Sequence, residues 1–240
     1  MERYNEKILK LWLKYYDKLD IECLKRAPLF YPKLKKNSIL FIGMNPSYSK
    51  NLFNEILALT SYKNEKWGFD GFFKFDKKEV TKDKEGYVKR LTEWEKEARE
   101  KLGYFNHFKK LADGKPWSSI DVFLCRETFQ KELLKAFNDP TNVELTKFKE
   151  AQCDLCFEII NEICPTMIVV ANARASEQIK EKLETKDVDF KFDEDIGTYV
   201  WGSIPIFLSS MLSNGALATE SRKRLDWHMR FVEKKNTRKK

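Results

Sequence analysis

Residues 39–42, Ile-Leu-Phe-Ile, form an apolar run of strand length that breaks off into Gly43-Met44-Asn45-Pro46-Ser47. A run this short, bounded by turn residues, reads as a buried strand entering a loop. Three later runs, residues 120–125, 167–171 and 204–208, repeat the arrangement. Each is followed by a loop and then a stretch of helical periodicity. Continuous apolar runs suit parallel strands buried on both faces. Strands alternating with helices predict an α/β chain. We expect a three-layer α/β/α sandwich around a four-stranded parallel sheet. Ligands of such sheets sit beyond the carboxyl ends of the strands. That places Asn45 where chemistry is usually done. Gly43 lets backbone approach a ligand closely, and Pro46 stiffens the turn.

The rest of the chain is ordered around these runs. Residues 4–25 carry Ile8, Leu9, Trp12, Tyr15, Tyr16 and Leu19 at helical spacing, and Pro28 and Pro32 close that element. Leu29, Phe30 and Tyr31 form an apolar linker into the first strand. A helix is expected to start near Ser49 or Asn51, with its amino end at the Asn45 loop, a favourable place for an anion. Residues 61–103 are the least regular part: 77–85 are almost wholly charged, 87–102 return to a helical pattern, and the whole reads as an insertion, a hairpin or lid. Residues 104–114 open a further helix. Residues 142–164 are a long helix stopped by Pro165. Helices are also expected over residues 176–183 and 220–232, and residues 190–201 form an edge strand or hairpin. We therefore expect one domain over residues 1–233, followed by a basic disordered tail, 234–240.

A chain of 240 residues suits one domain with insertions. Forty-five Lys and Arg against 37 Asp and Glu leave a net charge of +8. That excess favours a polyanionic partner through counterion release, though it also serves solubility. No stretch reaches the roughly 18 apolar residues needed to cross a bilayer, so no membrane partner is expected. The amino end carries acids and lacks a long apolar core, unlike a signal peptide. Five cysteines without such a signal point to reduced thiols and a cytoplasmic location, nucleoid-associated if bacterial. Cys153 and Cys156 lie inside the long helical pattern and Cys164 at its end. The spacing invites an iron–sulfur or zinc reading, but a fourth ligand at suitable spacing is absent, so they read as buried structural thiols, and no metal or other cofactor is expected.

The segment Gly43-Met44-Asn45-Pro46-Ser47 resembles the first active-site motif of the uracil-DNA glycosylase superfamily. It is nearest the Gly-(Ile/Met)-Asn-Pro-Gly form of the mismatch-specific and single-strand-selective branches. The order of elements over residues 38–230 is similar too. The superfamily's second motif, His-Pro-Ser-Pro or Asn-Pro-Ser-Gly, follows its fourth strand. Here Leu208-Ser209-Ser210-Met211-Leu212-Ser213 stands in that place, with Leu208 at the His or Asn position and no proline. The resemblance implies a monofunctional DNA glycosylase, a monomer that flips a base from single- or double-stranded DNA and hydrolyses its glycosidic bond. Asn45 would orient the attacking water, and Ser210 would help stabilise the leaving base. Gly43, Met44, Pro46, Ser47 and Tyr48 would line the base pocket. Ser209, Ser213 and Asn214 would hold the DNA strand.

Read from the residues alone, each position keeps an alternative. Asn45 is either a site amide or an Asn-Pro turn, and Ser47 either leaves room in a pocket or caps a helix. Where superfamily members that read uracil carry an Asn, this chain has Cys125-Arg126-Glu127-Thr128. Arg126 either reads a carbonyl-rich base or phosphate, or is salt-bridged to Glu127 or another acid. Thr128 is placed beside it. Asn172 either contacts substrate or caps the following helix. Arg222 and Lys223, with Arg224 and Arg230, either track a phosphate backbone or form a solvated helix face. Phe69 and Tyr48 are candidates to stack on a base. His107 and His228 fit packing or capping better than catalysis. Two further functions stay open. One is a nucleic-acid-binding protein that keeps the fold without catalysis; the other is a hydrolase of free nucleotides or nucleosides.

Overall fold

The structure, a computed structural model, describes residues 1–60, 67–186, 189–213 and 216–237. The chain divides into two compact units interleaved in sequence. The first comprises Met1–Leu34, Asn45–Phe105 and Phe123–Ile159; the second comprises Lys35–Met44, Asn106–Val122 and Ile160–Lys240.

The second unit holds the whole sheet. Its strands are β1 (Ile39–Gly43), β2 (Trp117–Asp121), β3 (Met167–Ala171), β4 (Phe190–Asp193), β5 (Thr198–Trp201) and β6 (Ile204–Ser209). They lie in the order β2-β1-β3-β6-β5-β4. The first four are parallel, and β4 and β5 add an antiparallel hairpin beside β6. The sheet is therefore six-stranded and mixed, a correction to the expected four parallel strands. The added hairpin is the aromatic stretch 190–201.

The register also moves β2 toward the amino end of its expected range. Trp117, not Ile120, opens the ladder, paired with Ile39. Its serines are satisfied inside the strand environment: Ser118 Oγ accepts from Lys35 N at 2.8 Å. The apolar residues 122–125 are buried without being ladder residues.

Helices lie against both faces of this sheet. The pairings put Phe41, Val169 and Phe207 on one face. Phe41 stacks on Phe108 of α6 (Asn106–Ala112) at 4.5 Å, and Phe207 meets His228 of α10 (Thr219–Thr237) edge-on at 5.0 Å. Tyr199, paired with Ile206, lies on the opposite face, where Lys180 of α9 (Ala173–Lys186) sits 5.4 Å from its ring. The tail expected to be disordered from residue 234 is helical through Thr237, because α10 continues.

The first unit is built of helices. These are α1 (Arg3–Tyr15), α2 (Lys50–Leu59), α3 (Gly68–Phe73), α4 (Lys77–Lys82), α5 (Lys84–Lys101), α7 (Gln130–Phe137) and most of α8 (Val143–Ile163). The expected helix over 4–25 is shorter. α1 stops at Tyr15, and a single 3-10 turn, Glu22–Lys25, follows. Asp17 and Asp20 fall where a continuing helix would place acids toward its negative end, which is unfavourable.

The described part of the insertion, from residue 67 onward, is helical: it forms α3, α4 and α5, the last matching the helical pattern read over 87–102. Phe72, Phe73, Phe75 and Trp94 enter the core, while Trp67 stays exposed. Trp94 lies within 4.9 Å of both Phe53 and Phe72. Trp12 and Phe148, both fully buried, meet edge-on at 5.3 Å. The linker 29–31 is buried as well, and Asn5 holds it by accepting from Tyr31 N and donating to Tyr31 O.

Candidate functional site

In the first unit, the Asn45 loop is fastened to the segment after residue 124. Asn45 Nδ2 donates to the carbonyls of Pro46 at 3.2 Å, Cys125 at 3.3 Å and Glu127 at 2.6 Å. Three acceptors fix which end of the amide is nitrogen, since a flip would set oxygen against three carbonyl oxygens. Asn45 Oδ1 is buried and has no hydrogen-bond donor among the described residues. Glu127 N donates back to Pro46 O at 2.9 Å. Thr128 Oγ1 donates to Tyr48 O at 2.7 Å, and Ser47 Oγ lies 3.4 Å from it. Asn45, Pro46, Ser47, Tyr48 and Thr128 thus lie together. The helix cap is Ser49, not Ser47: its side chain accepts from Leu52 N at the start of α2.

Arg126 is not a base reader in this arrangement. It is 3% exposed, its Nε donates to Ala27 O, and its Nη2 donates to Glu95 Oε1 of α5 at 2.7 Å. Its guanidinium also lies 4.4 Å from the Phe73 ring centroid. The structural alternative holds, with Glu95 as the acid. Arg26 instead serves the loop, donating to Arg126 O and to Glu127 Oε2, both at 3.0 Å.

Tyr48 is packed between partners. The Arg26 guanidinium is 4.1 Å from its ring centroid and the Phe69 ring 4.4 Å away. Its hydroxyl donates to Asp70 Oδ1 at 2.9 Å. Burial, and after it this hydrogen bond, push the phenol up to about 12. Tyr48 and Phe69 pack against each other with their planes tilted by 39°, and Tyr48 also has the Arg26 guanidinium against its ring. A surface pocket of about 360 Å³ opens beside Tyr48, lined also by Lys25, Arg26, Asp70, Phe73 and Lys74. Phe129, one residue beyond Thr128, is 70% exposed. Sequence reasoning missed Phe129, although a large aromatic directly after a predicted site residue was a usable signal.

In the second unit, the four parallel strands end on one edge. Gly43 lies beside Asp121, Ile42 beside Val170, and Ala171 beside Ser209. With strands about 4.8 Å apart, the Gly43 and Ser209 ends stand roughly 10 Å from each other. Gly43 does admit a close neighbour, but the neighbour is protein. A Cβ there would come 2.0 Å from Asp121 Oδ1. Asp121, a carboxylate at a parallel strand's carboxyl end, was legible in the sequence but overlooked. Met44 is buried, so its side chain serves packing.

Asn172 is 6% exposed, and its Oδ1 accepts from Arg174 N and Ala175 N, capping α9. Capping, not substrate contact, accounts for that oxygen. Ser209 O accepts from Ser176 Oγ, Ser210 is half-buried, and Leu212 is fully buried. Ser213 O accepts from Ala216 N. Asn214 lies outside the described residues. Arg222 Nη1 stands 2.9 Å from the His107 ring nitrogens and its Nη2 donates to Leu217 O, so this arginine joins α10 to α6. Lys223 is exposed and paired with Glu220 at 2.9 Å. Cys156 is buried as expected, but Cys153 is only half-buried and Cys164, just past the end of α8, is exposed, a correction to the reading of all three as buried thiols. Among the described residues, no group of three His, Cys, Asp or Glu is placed to hold a metal ion.

Comparison with family models, curated proteins and solved structures finds no match for the chain.

Proposed function

We propose that this chain is a monofunctional DNA base-excision glycosylase. It hydrolyses the N-glycosidic bond of a flipped uracil or other deaminated or damaged base, using a water oriented by Asn45. The observation that carries the reading is the Asn45 amide. Its nitrogen shares its two hydrogens among three carbonyls, and its oxygen is a buried acceptor without a donor among the described residues. A buried acceptor left without a donor costs about 1–3 kcal/mol, so this oxygen has a standing preference for a donor that can reach it. An O–H donor such as water is the group it binds best. An amide is too weak a base to deprotonate that water, so its work is positioning, with the sugar's developing positive charge drawing the nucleophile in. Phe129 supplies exposed aromatic surface beside the same loop, suited to filling the gap that a flipped nucleotide leaves. The net charge of +8 suits a polyanionic substrate.

A second reading has its own observation. Arg126, at the position expected to read the base, is committed to Glu95, and Leu208 stands where the resemblance asks for His or Asn. Both favour a nucleic-acid-binding protein without catalysis. Oligonucleotides carrying uracil, hypoxanthine, xanthine or a mismatch, incubated with the protein and then treated with alkali, decide between the two. The first reading expects strand breaks on at least one lesion, sensitive to Asn45→Ala. Binding without breaks on every lesion would replace it with the second.

A further inference from the structure

α10 carries two large rings on its solvent side. Trp227 is 66% exposed and Phe231 39%. Their ring planes lie within 10° of parallel, with centroids 5.5 Å apart. They are four residues apart, so they share one stripe of the helix. The other side of the helix is the packed one: Met229 and Val232 are buried, and His228 meets Phe207. Lys235, near Asp195, also stands 5.9 Å from the Phe231 ring.

The same stripe is basic at both ends. Arg224 stands three residues before Trp227 and Lys234 three after Phe231. Both are exposed and pair with no acid among the described residues. Across α10, six Lys and Arg face three Asp and Glu. The sequence then continues Arg238-Lys239-Lys240. A stacked aromatic pair between unpaired cations is the surface that unstacked bases and their phosphates fit. The rings take base faces, and the cations take the backbone.

We infer that the exposed stripe of α10 is a docking platform for single-stranded nucleic acid, with Trp227 and Phe231 stacking on bases and Arg224 and Lys234 holding the flanking phosphates. The inference deepens the nucleic-acid partner of the proposed function but does not need catalysis.

The test compares two fluorescent probes by anisotropy: an oligothymidylate of about twenty residues and a backbone of equal length built of abasic units. Stacking is worth enough per base that the full-length protein should bind the oligothymidylate about tenfold or more tightly than the abasic strand. The Trp227→Leu/Phe231→Leu protein, which keeps apolar bulk but has no ring faces, should bind both probes alike. Arg224→Glu/Lys234→Glu should weaken both probes together. Equal binding of the two probes by the unaltered protein would overturn the inference. So would an unchanged preference in the leucine variant, or a leucine variant that binds normally but loses a dimer in sedimentation. Base release from the lesion panel is a separate readout. Ring-dependent binding without base release keeps this platform and removes the enzyme, and base release by a protein indifferent to the ring substitutions does the reverse.

Discussion

Asn45 acts on the fold as well as on any substrate, and its two ends separate the roles. Removing the amide in Asn45→Ala leaves the carbonyls with one donor fewer, a loss partly offset by removal of the unpaired oxygen, and should cost about 1 kcal/mol in urea unfolding. Asn45→Asp should be no better than alanine, because a carboxylate oxygen would then face those carbonyls. A stabilised Asp variant would show that the amide is not oriented as described. Tyr48 gives a second residue-scale prediction. Its folded phenol titrates at about 12 against an ordinary value near 10. The fold therefore favours the protonated form. That stabilisation is complete below about pH 10 and is lost as pH rises from 10 toward 12. Unfolding midpoints should fall across that window, and Tyr48→Phe should flatten the fall; identical slopes in both proteins would refute the assignment. At this scale the sequence was legible wherever a residue's partners are local. Asn172 as a cap and the turn around Pro46 follow from short-range chemistry. Arg126 did not, because its acid is Glu95, thirty-one positions away, and no spacing rule selects one acid among 37.

Elements were read well where one apolar period ran without interruption, as in β1, β3 and α8. They were misread where burial and ladder membership part company. Residues 122–125 are apolar because they are buried, while β2 itself opens with Trp117-Ser118-Ser119. Within the insertion, α5 was legible from its periodic buried side, Val88, Leu91, Trp94 and Ala98, whereas α3 and α4, six residues each, are too short to show a period. Two predictions belong here. Gly43→Ala should cost roughly 1–3 kcal/mol by driving its Cβ into the Asp121 carboxylate. The cost should shrink in an Asp121→Ala background; an unchanged cost across that double-mutant cycle would mean another neighbour is responsible. Arg126→Met should destabilise by about 3–5 kcal/mol by leaving Glu95 buried with one partner fewer, toward the low end because Arg99 also pairs with Glu95 at 2.9 Å. Glu95→Gln in the same chain should recover part of the loss, and chemical denaturation of the three proteins checks both statements.

For the whole molecule, the sequence disclosed the α/β class, the parallel run of strands and the basic balance. It did not disclose that the chain would interleave an all-helical unit with the unit that carries the sheet. That division depends on contacts between segments far apart in sequence, and no local pattern records them. The proposed activity rests on one oriented amide in that molecule. Single-turnover release of free base from the most susceptible lesion, followed for the unaltered protein and for Asn45→Ala below its unfolding midpoint, tests it most directly. The account predicts rapid release by the former and a loss of about a hundredfold or more in the latter, with oligonucleotide affinity little changed. No release from any lesion, or equal rates in the two proteins, would contradict it.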